Sequence, residues 1–225
     1  MKRETFKEIE DFMKASCGES VHDEEHIYRV LYTALDIAGS EREVDKEVLI
    51  TACLLHDIGR AEELKKPGID HAEYGSKKAY DWLTEKGFDS DFASKVADCI
   101  RCHRFRGSNV PKTIEAKILY DADKIDAAGL IGISRTLMYK GVINEPIYTT
   151  KGREIENGDD KTNQSFFTEY IHKLSRVYDK ILTSRGKELV LGMKSEAEEF
   201  YNRLYGYLSQ LYSNGNSLID EYIEG

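Results

Sequence analysis

The dipeptide His56-Asp57 closes the most apolar stretch of the chain, Val48-Leu49-Ile50-Thr51-Ala52-Cys53-Leu54-Leu55. A segment that is apolar all round belongs at the centre of a fold. The two side chains are therefore carried to the tip of a buried element. Charge in such a place is costly unless it is paired or bound to a metal. A lone histidine at a helix end reads as a cap or a packed core residue. The carboxylate beside it turns the reading toward a divalent metal of the Mn, Fe, Ni, Co, Mg or Zn group, which imidazole and carboxylate together suit.

Two further clusters can contribute. His26 adjoins the apolar stripe of Ile27 and Val30, with His22 four residues earlier on the same helical face. Either can bind metal, although His22, at the helix start, also suits a cap. The third cluster is Tyr120-Asp121-Ala122-Asp123-Lys124-Ile125-Asp126. At about 100° per residue, Asp121 and Asp123 point to nearly opposite sides of a helix, so they cannot serve one site. Ala116, Leu119 and Ala122 lie near Asp123 and place it toward the core. Asp121 is then solvated or bonded to polar neighbours. Cys99-Ile100-Arg101-Cys102-His103 has the letters of a haem-attachment motif. That chemistry needs an exported chain, and the opening MKRETFKEIEDFMKAS has no apolar stretch of signal-peptide length. Cys99 instead fits the stripe of Phe92 and Val96, and no second cysteine pair completes a zinc site.

These residues need helices to position them. With only three prolines, long helices can run unbroken. Phe6, Ile9, Phe12 and Met13 mark a first helix, and Ser20 with Asp23 forms a capping box for a second, which Gly39 can end. A third covers about 45–57. Pro67-Gly68 marks a turn, followed by helices over 71–86, with Gly87 as its stop, and 89–104. Pro111 suits the first turn of another, running through Asp123 toward Tyr139. Residues 140–164 have loop composition, and loops of that length are usually functional; Lys151 and Arg153 lie there, and a lid over the substrate is the expectation. Helices over 166–183 and 187–212 and a polar tail complete an all-α fold with little or no sheet. One domain is expected, with its core at about 20–140.

The order His26, then Leu54-Leu55-His56-Asp57-Ile58-Gly59-Arg60, then Glu115-Ala116-Lys117-Ile118-Leu119-Tyr120-Asp121-Ala122-Asp123-Lys124-Ile125-Asp126-Ala127 resembles the HD phosphohydrolase superfamily, in particular a bacterial branch of small HD hydrolases. The likeness covers about 22–183. It implies a helical bundle around a central metal held by His26, His56, Asp57 and Asp123. It also implies that His71 and His103 bind a second metal or contact substrate phosphate, with Asp57 bridging if a second metal is held; a structural role for either histidine stays open. Arg29, Arg60 and Lys124 are candidates to neutralise phosphate, and Asp126 can orient a ligand or water. Asp57, Arg60, Lys124 and Asp126 are thus the residues expected in catalysis. The resemblance implies hydrolysis of a small nucleotide, with pyrophosphohydrolysis of (deoxy)nucleoside triphosphates first. A nucleotide phosphodiesterase and a nucleotide-sensing module without turnover are the alternatives.

A net charge of −9 excludes a broad nucleic-acid or anionic-membrane surface, and no window approaches the roughly 20 apolar residues of a membrane span. The expectation is a cytoplasmic protein with reduced cysteines and a small phosphorylated partner, with a homodimer left open.

Overall fold

The computed structural model describes residues 1–17, 24–66, 68–104 and 109–224. His22, Ser20 and Asp23 lie outside them. The described residues are mainly helical, with one two-stranded hairpin, and fall into two compact units. The first comprises Met1–Asp126 and Leu182–Gly186, the second Ala127–Ile181 and Lys187–Gly225. No helix among the described residues is long and apolar enough to cross a membrane.

The first unit contains α1 (Arg3–Cys17), α2 (Glu24–Gly39), α3 (Lys46–Leu55), α4 (Arg60–Lys65), α5 (His71–Glu85), α6 (Ser90–Cys102) and α7 (Ile114–Asp126). As its all-round apolarity demands, α3 is central and packs on α1, α2, α6 and α7. Val48, Leu49, Ala52, Cys53, Leu54 and Leu55 are buried. Aspartates set the starts of three helices. Asp45, Asp70 and Asp89 each accept two backbone N–H groups of the following first turn, at 2.9–3.3 Å. Such a cap contributes about 1 kcal/mol. Gly87, at φ 84°, ends α5 in the left-handed conformation that glycine adopts without strain.

Several boundaries differ from expectation. Helix α3 stops at Leu55, so His56 is its C-cap and Asp57 lies in the following turn rather than in the helix. The short α4 was not foreseen; six residues between Gly59 and the 66–68 turn are too few to show a period. The helix after Pro111 starts at Ile114, because the Thr113 hydroxyl accepts Ala116 N–H at 3.2 Å and sets the cap there. It does not run on toward Tyr139. It breaks at Ala127-Ala128, where Ala128 is extended and Gly129 turns to φ 57°, and α8 (Gly129–Val142) begins. A Cβ on Gly132 would fall 2.2 Å from the Ala127 carbonyl oxygen, so the bend needs that glycine too.

The second unit holds α8, the hairpin β1 (Thr150–Lys151) and β2 (Glu154–Ile155), α9 (Phe166–His172), a 3-10 segment (Leu174–Lys180) and most of α10 (Ser184–Glu224). The expected loop is thus shortened by α8 and carries a small antiparallel pair, Thr150 opposite Ile155. The helix expected over 166–183 divides into α9 and the 3-10 segment. Helix α10 continues through the supposed polar tail. Asn216 donates to Arg153 O at 2.7 Å and Arg153 to Asp220 at 2.6 Å, and these ties hold low-propensity residues in the helix. Phe166, Phe167, Tyr170, Leu174 and Tyr201 form the core of this unit.

Candidate metal centre

Four helix ends meet inside the first unit. His56 is the C-cap of α3 and His103 the C-cap of α6. Each turns Nδ1 back on the carbonyl three residues earlier, His56 on Cys53 O at 2.8 Å and His103 on Ile100 O at 2.6 Å. His71 opens α5 directly after its cap Asp70, and His26 lies in the first turn of α2. These two direct Nδ1 at carboxylates. His26 meets Asp126 at 2.7 Å and His71 meets Glu63 at 2.6 Å. An arginine holds each carboxylate in turn. Arg29 donates Nε to Asp126 Oδ1 at 2.6 Å and Nη2 to Oδ2 at 3.2 Å, and Arg104 Nη1 donates to Glu63 Oε1 at 2.9 Å.

Carbonyls and carboxylates only accept hydrogen bonds. Each Nδ1 therefore carries its ring's proton, and each Nε2 turns a lone pair inward. The Nε2 atoms of His26 and His56 lie 3.3 Å apart, as do those of His71 and His103. Asp57 stands between the pairs. Its Oδ2 is 3.6 Å from His26 Nε2 and 3.7 Å from His56 Nε2. Its Oδ1 is 3.3 Å from His71 Nε2 and 3.6 Å from His103 Nε2. Asp123 Oδ1 joins the first pair, 3.5 Å from His26 Nε2. The donors thus form two groups able to hold an ion: His26, His56 and Asp123, and Asp57, His71 and His103.

The chemistry of these donors fits divalent metal. Lone pairs aimed at one another across 3.3 Å repel unless a cation lies among them. Asp57 Oδ1 is buried with no hydrogen-bond partner, a costly state for a carboxylate oxygen that a cation relieves. Two donors each about 2.1 Å from one ion lie about 3.0–3.4 Å apart at octahedral to tetrahedral angles, close to the spacings observed. Protonation states agree. Burial lowers the pKa of His56 and takes that of His103 down to about 3, so both stay neutral. Burial pushes the Asp57 carboxyl up, but the His56 ring beside it and the Arg60 guanidinium outweigh it and hold the group well below the usual carboxylate range. Asp123 is likewise pushed up by burial and held below that range chiefly by the Lys124 ammonium.

The other expected site residues fall around this cluster. Arg60 donates Nε to Asp57 Oδ2 at 2.9 Å, and Lys124 reaches Asp123 Oδ2 at 3.0 Å. Their side chains are 28% and 22% exposed, so both cations keep a face to solvent. Arg29 lies on Asp126. Asp121 is not part of the cluster. It is wholly buried and accepts Leu182 N–H at 2.8 Å, Thr183 N–H at 2.7 Å and the Thr183 hydroxyl at 2.6 Å. Sequence reasoning missed Glu63 and Arg104. Glu63 sits on the unforeseen α4; the one signal available was its i,i+3 spacing from Arg60, a residue already singled out.

A helical fold with histidines and aspartates grouped at its helix ends defines a class, and residues 24–128 match the HD domain family. Over 196 residues the chain is 31% identical to the Bacillus subtilis protein YpgQ, covering 85% of this chain and 83% of YpgQ. The chain belongs to the HD-domain superfamily. The crystal structure of Bacillus subtilis YpgQ in complex with ADP is similar at TM-score 0.68 and 24% identity, covering 89% of this chain and 93% of that one. A predicted HD superfamily hydrolase from an uncultured Thermotogales bacterium is similar at TM-score 0.61 and 27% identity, over 90% of this chain and 92% of that one.

Proposed function

We propose that the chain is a metal-dependent phosphohydrolase that binds two divalent ions and cleaves a phosphate ester or anhydride bond of a small nucleotide. The observation that carries this reading is the division of the Asp57 carboxylate, one oxygen toward each histidine pair, with Oδ1 otherwise unpartnered. His26, His56, Asp123 and Asp57 Oδ2 would hold the first ion, and His71, His103 and Asp57 Oδ1 the second. Bound there, divalent metal supplies Lewis acidity toward a phosphoryl oxygen and lowers the pKa of water.

The chain's own residues supply the rest. The two groups differ in charge, because Asp123 belongs only to the first. The second is less neutralised and better suited to an anionic phosphate. Arg60 and Lys124, each partly exposed beside a candidate ligand, meet further phosphate oxygens. Asp126 acts through His26, fixing its Nδ1 proton so that Nε2 stays a ligand. Such local cations are required in a chain of net charge −9. The ADP held by YpgQ supports a nucleotide as the substrate class, and pyrophosphohydrolysis of (deoxy)nucleoside triphosphates is the first reaction to test. A panel of nucleoside triphosphates, diphosphates and cyclic nucleotides, assayed for phosphate and pyrophosphate release with Mn²⁺, Mg²⁺, Co²⁺ and Ni²⁺, tests the reading. Metal-dependent release that Asp57→Asn abolishes is expected. No release with any metal would leave a binding module instead.

A further inference from the structure

Each non-capping histidine of the cluster stands at the end of a matched chain. Arg29, Asp126 and His26 form one, and Arg104, Glu63 and His71 the other. Asp126 contacts the histidine of the first group, and Glu63 that of the second. Arg104 Nη1 also lies 3.2 Å from His71 Nδ1. With the proton on Nδ1 this is a contact between two donors, which Glu63 holds together by accepting from both.

Helix α4 brings Glu63 to this place. It starts hard against the start of α5. A Cβ on Gly59 would fall 2.3 Å from His71 O and 2.9 Å from Gly75 N, both backbone atoms that cannot yield cheaply. Only glycine permits this approach. One turn of α4 then presents Arg60 to the shared Asp57 and Glu63, three residues on, to His71. The two carboxylates also differ in setting. The Asp126 side chain is 4% exposed and that of Glu63 is 28% exposed, so Glu63 can be changed without opening the core.

We propose that Glu63, clamped by Arg104, is the positioning residue that makes Asp57, His71 and His103 a metal site, and that it sets the affinity of that half alone. The inference rests on the paired-metal reading. Without Glu63, Arg104 Nη1 would donate to His71 Nδ1 and the proton would shift to Nε2, removing the ligand lone pair. With Glu63, Nδ1 keeps the proton and Nε2 faces Asp57 Oδ1.

Mn²⁺ alone, titrated into the full metal-free chain, provides the test, with bound metal counted by elemental analysis and spin coupling read by electron paramagnetic resonance. The wild type should hold two Mn²⁺ with an exchange-coupled spectrum. Glu63→Ala should weaken the second Mn²⁺ by about 10–100-fold and leave one uncoupled ion at concentrations that fill both wild-type positions. Glu63→Gln keeps an acceptor for the His71 N–H without its charge, and should fall between. A merely structural role would lower the melting temperature of the metal-free chain without removing the coupling. Two coupled ions at wild-type affinity in both variants would overturn the role of Glu63 while leaving the paired-metal reading intact. One ion in the wild type would overturn both.

Discussion

Asp126 Oδ2 lies 2.7 Å from His26 Nδ1, and Arg29 grips the same carboxylate through two nitrogens. Arg29, read from the sequence as a candidate phosphate contact, is bound to the carboxylate that holds His26, and the proposed metal centre would place its effect on metal binding. Arg29→Ala should raise the metal concentration needed for half-maximal activity and leave the substrate KM at saturating metal nearly unchanged. Asp126→Ala should do the same more strongly, by about 10–100-fold in metal affinity. Titrations of activity against metal and against substrate separate the two parameters. A rise in KM alone would return Arg29 to the substrate.

Asp121 and Asp123 make a contrast two residues apart. Asp123→Asn should lose much of the first metal and nearly all hydrolysis. Asp121→Asn should keep the metal but destabilise the fold, because the amide cannot accept all three hydrogen bonds from Leu182 and Thr183. A buried donor left unsatisfied costs about 1–3 kcal/mol, and each kcal/mol lowers the melting temperature of a chain this size by roughly 2–4 °C. Elemental analysis and thermal melts of both variants check this. Metal loss in Asp121→Asn with retention in Asp123→Asn would require a different ligand set.

His71→Ala and His103→Ala should each cut turnover while about one metal per chain remains, since both rings belong to the second group. Complete metal loss in either single variant would place that histidine at the first ion.

Cys99 is buried and Cys102 is half-buried, its thiol 3.7 Å from Val110 O. Burial pushes the Cys99 thiol up to about 12, which keeps it protonated and a poor ligand. Cys99→Ala with Cys102→Ser should leave metal content unchanged by elemental analysis. A stoichiometric loss would show a role in metal binding for Cys99 or Cys102 that their geometry does not suggest.

Much of this arrangement was legible in the residues. The all-round apolar run before His56 announced the central α3, and Asp45, Asp70 and Asp89 are caps of recognisable type. What stayed hidden depends on distant partners. Two consecutive alanines at 127–128 carry no stop signal; the break there comes from Gly129 and from the close approach of Gly132 to Ala127. Asp121 could not be assigned to solvent or to a partner, because Leu182 and Thr183 lie some sixty residues on. Glu63 was hidden because six residues of α4 show no periodicity and its partner His71 lies across a turn.

The central claim is that Asp57 is shared between two metal ions. Anomalous difference density, measured near the manganese edge from crystals grown with Mn²⁺, tests it most directly. Two peaks are expected on either side of the Asp57 carboxylate, one among His26, His56 and Asp123 and the other beside His71 and His103. A single peak, or peaks away from these residues, would contradict the account.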